Sequence, residues 1–465
     1  MELIGRLREQ EIISDCIQDT KSHFIAIYGR RRVGKTYLVR KYFNNDFDFY
    51  VTGLAKGNKS AQLTNFCLAI QQIDPDVLID EINDWMAAFR LLISVLEKSS
   101  SKKKIIFMDE LPWMDTPRAN FITALEYFWN SWASARNDIV LIACGSAASW
   151  MLNNLINNKA GLFNRVTKRI KLSPFDLAEV EAFLKAKSYH INRYQILQLY
   201  MAVGGIPFYL DLINKEYSVA QNIQKMFFER NAMLQNEYEI LFKSLFEKSE
   251  THNILVKALT KKKTGLTRKE LLKITKLKDG GSITRVLNEL IASDFIRNYR
   301  KFGNKNNNVV YQLTDPFTLF HYRFVEDFEE ESNFWINQLN TPSMYSWQGN
   351  AFELICLLHV EKIKDALGIS GVQTSISTWW SEGAQIDLVI DRKDQLINLV
   401  EIKFALDEYE INKSYDEKLR KKLNEFQKAT KTKKSLWTTM LTTYGIKQNK
   451  YSGNVQKSIV MDELF

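Results

Sequence analysis

Lys35 and Thr36 close a glycine-containing segment, GRRRVGKT, that spans residues 29–36. The segment follows the apolar run FIAIY and precedes YLVRKYF, an order that predicts a strand, a turn and a helix. In such a turn, glycines let successive main-chain amides face a phosphate, a lysine reaches the β- and γ-phosphates, and a hydroxyl ligates magnesium. The pattern therefore predicts a nucleotide site with ATP and Mg²⁺ as cofactors. The residues expected to bind the nucleotide are Gly29, Arg30, Arg31, Arg32, Val33, Gly34, Lys35 and Thr36.

Asp109 and Glu110 end a second apolar run, KIIFMDEL. Ligands of open α/β sheets bind at the carboxyl ends of strands, so carboxylates at this position would face the phosphate loop. We expect Asp109 to hold the magnesium ion through water, next to Thr36. We expect Glu110 to polarise the attacking water as the general base. The alternative is that the pair lies in an ordinary surface turn.

A third strand-like run, DIVLIACGS, ends at Ser146. A small hydroxyl at this end of the sheet could position the attacking water or contact the γ-phosphate. It could equally be a plain serine in a Gly-Ser turn. Together with FDFYVTG, these apolar runs alternate with amphipathic stretches, which predicts a parallel sheet flanked by helices. From SPFDLAEVEAFLKAK to about Val219 the pattern is helical, which is typical of a small lid.

The order of these motifs resembles the archaeal-type ATPase family of AAA+ proteins, which is related to the Orc-like ATPases. The resemblance rests on IGR near the start, GRRRVGKT, FMDEL, CGS, GLFNR and GGIPFYL, over roughly the first half of the chain. It implies that Ile4, Gly5 and Arg6 lie beside the adenine. It also implies that Arg165 of GLFNR acts as an arginine finger on a neighbouring subunit, and hence a homo-oligomer. The alternative for Arg165 is an ordinary surface arginine. The lid motif at 205–207 has no obvious arginine after it, so a sensor arginine stays unassigned.

Positive charge is concentrated in the middle of the chain. The net charge is +9, yet residues 257–305 alone contain fourteen Lys or Arg against four Asp or Glu. Such a concentration is an electrostatic footprint for nucleic acid, although a solvated basic face is an equal alternative.

Within this basic segment, LTRKELLKITKLKDGGSITRVLNELIASDFI fits a helix-turn-helix. Thr267 and Glu270 form a capping box, two glycines make the turn, and Ser282 is expected to cap the next helix. FIRNYRKFGNKNNNVVYQLT then predicts two strands joined as a wing, which together give a winged helix. The residues expected in a DNA groove are Thr284, Arg285 and Asn288, and those expected on phosphates are Arg300, Lys301 and Lys305. The alternative is a domain connector that does not contact DNA.

Three further acidic or basic positions lie in the last part of the chain, in GAQIDLVIDR and LINLVEIKF. Residues two apart on a strand share a face, so Glu401 and Lys403 should point together toward Asp387 on the neighbouring strand. Two carboxylates on adjacent strands can hold a divalent ion, and the lysine can orient water or stabilise the developing charge. Glu353, on the preceding helix, is a further candidate metal ligand.

This arrangement resembles the PD-(D/E)xK nuclease fold and, more closely, the C-terminal domain of unknown function attached to this ATPase family, over about residues 347–465. The proline that often precedes the aspartate is Ile386 here. The resemblance implies metal-dependent DNA cleavage by Asp387, Glu401 and Lys403. The alternative is a nuclease-like fold kept for packing or DNA binding.

The sequence thus predicts an α/β protein: a P-loop AAA+ parallel sheet with a helical lid, a winged helix and a PD-(D/E)xK-like α/β domain. The expected boundaries are 1–172, 173–245, 246–325 and 326–465. Four scattered cysteines predict buried thiols of a protein in a reducing compartment. The charged start MELIGRLREQ predicts neither a signal peptide nor a membrane anchor. We expect a cytoplasmic protein in which ATP hydrolysis switches DNA binding and DNA cleavage. The alternative is a regulatory or scaffolding switch that binds DNA or protein without cleaving it.

Overall fold

A computed structural model describes residues 3–79, 82–158, 161–246, 248–303 and 309–465. The chain divides into two compact units, Met1–Ser173 and Pro174–Phe465. Lys305 falls outside the described residues. No helix in the described part of the chain is both long enough and apolar enough to cross a membrane.

The first unit is built on five parallel strands. They are β1 (His23–Tyr28), β2 (Phe49–Thr52), β3 (Lys104–Asp109), β4 (Ile139–Gly145) and β5 (Lys168–Lys171). Their order in the sheet is β2-β3-β4-β1-β5. Every residue of β4 is buried, as expected for the central strand of a sheet covered on both faces. Because β4 lies between β1 and β3, the segments that follow these three strands meet at one edge of the sheet.

Helices cover this sheet. They are α1 (Leu7–Gln18), α2 (Lys35–Tyr42), α3 (Lys59–Gln71), α4 (Trp85–Leu96), α5 (Leu111–Met114), α6 (Phe121–Ser131) and α7 (Ala148–Trp150). The core on one face contains a group of aromatic rings. Trp85 packs edge-on against Phe121 and against Phe66, with distances between ring centres of 4.8 and 5.4 Å. Large buried rings of this kind stabilise the sheet through the apolar area that they remove from water.

The second unit begins with five helices: α8 (Leu177–Ala186), α9 (Arg193–Val203), α10 (Pro207–Asp211), α11 (Val219–Phe227) and α12 (Glu237–Leu245). Capping boxes open α8, α9 and α11. The expected turn in GGIPFYL is present, since α9 ends at Val203 and Pro207 opens α10.

The basic middle segment follows as α13 (Glu250–Thr260), β6 (Leu266–Thr267), α14 (Arg268–Thr275), α15 (Gly281–Ala292), β7 (Ile296–Arg300) and β8 (Val309–Leu313). The three strands form an antiparallel sheet in the order β6-β8-β7. The capping box of Thr267 and Glu270 is confirmed. The expected cap at Ser282 is wrong: α15 already includes Ser282, and its N-cap position is Gly280, which has no side chain to cap with.

The last part contains α16 (Pro316–Phe320), α17 (Phe334–Gln338), α18 (Pro342–Leu358), α19 (Val360–Ala366), β9 (Thr374–Ser381), β10 (Ala384–Arg392), β11 (Leu396–Lys403), α20 (Lys413–Thr430), β12 (Ser435–Thr442) and β13 (Lys457–Val460). Its sheet has the order β13-β12-β11-β10-β9. β9, β10 and β11 pair antiparallel, and α20 crosses over to a parallel β12. The expected order of helix, aspartate-bearing strand and VEIKF strand is present. All four cysteines are buried and free, as expected.

Candidate functional site

Lys35 lies inside the loop that its motif predicts. It is the first residue of α2, and only 5% of it is exposed. Its Nζ donates hydrogen bonds to the carbonyl oxygens of Gly29, at 2.9 Å, and Arg30, at 3.0 Å. Burial lowers the pKa of this ammonium, while the nearby Glu110 and Asp109 carboxylates raise it. The loop therefore curls around a buried positive charge, which is the arrangement needed to bind phosphates.

Two glycines make that curl possible. Gly34 precedes α2 with φ of 91°, a left-handed conformation that costs other residues energy. At Gly29 the reason is close packing, because a Cβ there would lie 2.2 Å from the carbonyl oxygen of Leu172. Each position thus favours glycine for a different physical reason, and only Gly29 is constrained by contact with another main-chain atom.

Thr36, in the first turn of α2, and Asp109, the last residue of β3, come together. The Thr36 hydroxyl donates to Asp109 Oδ2 at 2.7 Å, and the main-chain amide of Glu110 donates to Asp109 Oδ1 at 3.0 Å. Burial of Asp109 raises the pKa of its carboxyl group, whereas the hydrogen bond from Thr36 lowers it; the effect of burial is the larger. A hydroxyl and a carboxylate oxygen are the hard donors that Mg²⁺ prefers, so these residues fit the cofactor that the motif implies.

Glu110 is held by the strand next to its own. The main-chain amide and the hydroxyl of Ser146 donate to Glu110 Oε2 at 3.0 and 2.8 Å. Glu110 has φ of 46°, an uncommon backbone conformation for a residue with a side chain. The structure therefore brings Ser146 to the candidate general base. The sequence predicts both residues at the carboxyl ends of strands of one sheet, but not the contact between them.

The N-terminal IGR segment contacts the same loop. Arg6 is 6% exposed, and its Nη2 donates to the carbonyl oxygen of Val33 at 3.4 Å. The carbonyl of the neighbouring Gly5 accepts a hydrogen bond from Gln10 Nε2. Ile4 is half-buried. This segment therefore lies against the phosphate loop.

A second group of ionisable side chains lies in the C-terminal sheet. Glu353 of α18, Asp387 of β10 and Glu401 of β11 are all nearly buried. The register Leu388↔Val400 brings Asp387 next to Glu401, and Asp387 Oδ2 accepts a hydrogen bond from the main-chain amide of Ile402 at 3.1 Å. The pairing of β10 with β9 is irregular between Ile386 and Val389, a bulge at the aspartate itself. Bulges of this kind are frequent beside functional sites.

The burial of these carboxylates changes their chemistry. Burial, followed by the charge of Asp387, raises the pKa of Glu353 and of Glu401 to about 7. Lys403 lies on the same side, and its charge opposes both increases, as the alternation along β11 predicts. Its Nζ lies 5.7 Å from the centre of the Tyr415 ring.

Two lysines that sequence analysis did not select pair with these acids. Lys263, from the segment between α13 and β6, has its Nζ 2.6 Å from Glu353 Oε2 and 3.8 Å from Asp387 Oδ1. Lys422 of α20 has its Nζ 2.6 Å from Glu401 Oε2. Both lysines are distant from their partners in sequence, so no local pattern could indicate them.

The two carboxylate oxygens of Glu401 differ in their partners: Oε2 is paired with Lys422, whereas Oε1 is not. Oε1 is buried and has no hydrogen-bond partner among the described residues. Such an orphaned carboxylate oxygen fits a bound cation or water. Over the same residues, no group of three or more His, Cys, Asp or Glu side chains is placed to hold a metal ion together. The geometry thus favours a small site at Asp387 and Glu401 over a preformed cage that includes Glu353.

The residues expected to contact DNA lie in the basic middle segment. Thr284, Arg285 and Asn288 are exposed on α15, on the face opposite its buried apolar residues. Arg300 is exposed at the end of β7. Lys301 instead lies with its Nζ 4.7 Å from the centre of the Trp380 ring, and burial lowers the pKa of this ammonium.

Comparison with known proteins agrees with the geometry of the first site. Residues 3–213 match a family described as "ATPase domain predominantly from Archaea". The N-terminal part of the chain is an archaeal-type ATPase domain. Residues 318–428 match a family described as "Archaea bacterial proteins of unknown function".

Relatives of the whole chain are distant. An uncharacterized protein of Methanocaldococcus jannaschii is 24% identical over 425 residues, which cover 90% of this chain and 91% of that protein. Among solved structures, a Walker-type ATPase of Pyrococcus abyssi matches with a TM-score of 0.51 and 15% identity, over 69% of this chain and 96% of the other, which supports the fold. The ORC2 protein of Aeropyrum pernix, in an ADPNP-ADP complex, is 13% identical, with a TM-score of 0.44, over 69% of this chain and 93% of the other.

Arg165, the expected arginine finger of the ATPase domain, is exposed and lies in a short turn in which its amide donates to the carbonyl of Leu162. An exposed guanidinium is accessible to another molecule. Its role on a neighbouring subunit stays a prediction.

Proposed function

We propose that this archaeal-type ATPase hydrolyses ATP with Mg²⁺ and Glu110 as the general base, and that hydrolysis controls DNA binding and metal-dependent DNA cleavage by the C-terminal unit. The observation that carries the first part is the contact of Thr36 with Asp109 at 2.7 Å, next to a Glu110 that Ser146 fixes in place. The second part rests on the buried carboxylates of Asp387 and Glu401 on adjacent strands.

In the ATPase reaction, water attacks the γ-phosphorus, the bond to the β-γ bridging oxygen breaks, and ADP and phosphate leave. Lys35 and the amides of the loop bind the β- and γ-phosphates. Thr36 and Asp109 would hold the magnesium ion, which would supply positive charge to the phosphate oxygens. Glu110 accepts the proton of the attacking water. The two hydrogen bonds from Ser146 aim its carboxylate, while Ile4, Gly5 and Arg6 bind the adenine side of the nucleotide.

DNA binding is supported by the exposed Thr284, Arg285 and Asn288 on α15, a helix that follows another across a glycine turn as in a winged helix. Cleavage is supported by the orphaned Glu401 Oε1 and by the bulge that presents Asp387 beside it. A divalent ion held there would activate water toward a phosphodiester, and Lys403 would stabilise the developing charge.

A second candidate function has its own support. Lys263 and Lys422 already neutralise Glu353 and Glu401. Carboxylates that are already paired with lysines of the same chain suit an ATP-driven switch that binds DNA or protein without cutting it. Asp387→Ala separates the two functions, since only a nuclease loses an activity through this change.

The test is cleavage of plasmid and single-stranded DNA by the full chain, with Mg²⁺ or Mn²⁺, with and without ATP. Lys35→Ala and Asp387→Ala are compared with Asp394→Ala, which removes an exposed carboxylate from the β10–β11 turn. We expect cutting that responds to ATP, fails in Asp387→Ala and persists in Asp394→Ala. Absence of cutting with intact ATPase activity overturns the nuclease and leaves the switch. Absence of ATP hydrolysis in the wild type overturns the first part.

A further inference from the structure

A lysine-lined pocket opens beside the C-terminal carboxylates. Its cavity has a volume of about 590 Å³, and its walls come from α20, from the turn between β9 and β10, and from the segment before β6. Four of its lining residues are lysines, Lys262, Lys418, Lys421 and Lys422, and none is an Asp or Glu. Lys262 and Lys422 are paired with carboxylates, Glu270 at 2.9 Å and Glu401 at 2.6 Å, so the attraction for an anion comes mainly from Lys418 and Lys421, whose fields add at one concave surface.

The lysines of α20 are placed by the helix itself. Positions three and four apart share a face of a helix, so Lys418, Lys421 and Lys422 all point toward the pocket. Lys418 and Lys421 are exposed, whereas Lys422 is half-buried on Glu401. Lys421 reaches the opposite wall, since its Nζ would lie 3.8 Å from a Cβ built on Gly383. The pocket therefore has two exposed ammonium groups, of Lys418 and Lys421, and two that are paired with carboxylates, of Lys262 and Lys422.

Two contacts join this pocket to the proposed cleavage site. Gln385, in the pocket wall, donates from Nε2 to Asp387 Oδ1 at 3.3 Å. Lys422 bridges the pocket and Glu401. An anion bound to these lysines would thus lie next to Asp387 and Glu401, the place where a scissile phosphodiester is needed.

The remaining wall limits the kind of anion. Trp380 lines the pocket, and an indole offers a surface on which nucleobases stack. Lys301 Nζ lies over one face of this ring, which leaves the other face for a base. A cavity of this size is typical of sites that hold a small ligand, so it suits a few nucleotides of one strand and not a duplex.

We propose that this lysine pocket binds the phosphate backbone of a single nucleic-acid strand and leads it to Asp387 and Glu401. The inference rests on the proposed function in that it takes a nucleic acid as the ligand. It is separate from the exposed face of α15, which the winged-helix prediction assigns to duplex DNA.

The experiment measures binding of the full chain to labelled oligo(dT), oligo(U) and a DNA duplex by fluorescence anisotropy, without divalent cations so that nothing is cut. The pocket double variant carries both Lys418→Ala and Lys421→Ala. The control double variant carries both Lys413→Ala and Lys428→Ala, which removes the same charge from exposed positions of α20 that do not line the pocket. Titrations run from about 50 to 300 mM salt.

For oligo(dT), loss of two phosphate contacts should reduce the slope of log affinity against log salt by about 1.4 and weaken binding about 25-fold at 0.1 M salt. The control pair should bind nearly as the wild type does, and binding to duplex should change little. Equal losses in both pairs, equal losses on strand and duplex, or no binding to a single strand would each overturn the pocket. Weakening with oligo(U) alone would retain the pocket and assign it to RNA.

The binding and cleavage assays can fail independently. If the wild type cuts no DNA in the plasmid assay but the pocket pair and the control pair differ in affinity for a single strand, the pocket stands while cleavage fails. If cutting depends on Asp387 and the pairs do not differ, the pocket alone fails.

Discussion

Ser146 fixes one carboxylate oxygen of Glu110 with two hydrogen bonds, from its main-chain amide at 3.0 Å and its hydroxyl at 2.8 Å. Because the residues follow neighbouring parallel strands, β4 and β3, the geometry of the sheet sets this contact. The bond from the amide does not depend on the serine side chain. The candidate general base and the hydrogen bonds that hold it are therefore separable by mutation.

We expect Glu110→Gln to lower ATP turnover by about 10²- to 10⁴-fold while nucleotide binding persists, because the amide cannot accept the proton of the attacking water. Ser146→Ala should cost about tenfold, since it removes one charge-assisted hydrogen bond and leaves the other. Phosphate release and binding of a fluorescent nucleotide measure the two effects. Glu11→Gln, at an exposed position of α1, is the control. Full turnover in Glu110→Gln would remove this residue from the reaction.

The nucleotide site could be predicted from sequence because its residues lie in short segments whose pattern fixes both the element and the chemistry. The strand after GLFNR was missed, however. β5 has the sequence KRIK, and only Ile170 is fully buried, so it has neither an apolar run nor a regular alternation. It is formed because β1 offers a parallel edge to pair with.

The pairing of acids and lysines in the C-terminal unit could not be predicted from the sequence, because it too depends on contacts between distant segments. Alternation along β11 predicts Glu401 and Lys403 on one side. The partners Lys263 and Lys422 come from other elements, which only the packing of α13, α18 and α20 around the sheet brings near. Long-range contacts of this kind leave no periodicity in the sequence.

The two glycines of the phosphate loop should respond differently to alanine. At Gly34 nothing lies within 4 Å of an added Cβ, so Gly34→Ala should cost only the left-handed strain, about 1 kcal/mol. At Gly29 the added Cβ overlaps a main-chain oxygen, so the loop must move. We expect Gly29→Ala to lose at least about 2 kcal/mol of stability and to abolish ATP binding. Thermal unfolding and nucleotide titration test this, and equal effects at both positions would contradict it.

Acid should weaken the first unit through Asp138. Hydrogen bonds from Arg136, at 2.7 Å, hold the pKa of this carboxyl well below its usual range, with help from Lys104. A lowered pKa in the folded state means stability that is fully present above the unfolded pKa of about 3.9 and is lost progressively as the pH falls from there through the folded pKa. Asp138→Asn should therefore destabilise the protein by about 1.5 to 3 kcal/mol at pH 7 and clearly less at about pH 2. Urea unfolding at both pH values checks this. A loss that is independent of pH would refute the ionic cause.

Lys263 should compete with cations for the C-terminal carboxylates. Since its Nζ lies 2.6 Å from Glu353 and 3.8 Å from Asp387, Lys263→Ala removes a positive charge from the acids. We expect Mn²⁺ to bind several-fold more tightly, because a neighbouring like charge no longer opposes it. Lys261→Ala, two residues away and exposed, should leave the affinity unchanged. Calorimetric titration gives both values, and unchanged Mn²⁺ affinity in Lys263→Ala would count against a cation site there.

Arg165 gives a prediction about assembly. If its guanidinium completes a site on a neighbouring subunit, Arg165→Ala should lower turnover by about 10³-fold or more without weakening ATP binding. Mixing Arg165→Ala with Lys35→Ala should then restore part of the activity, since a subunit with Arg165 can act on the nucleotide of a subunit with Lys35. Arg169→Ala, a nearby exposed arginine, is the matched control. Phosphate release from the mixture at several protein concentrations is the measurement. No recovery in mixed samples that still co-assemble, or an equal loss in Arg169→Ala, would make Arg165 a surface residue without this role.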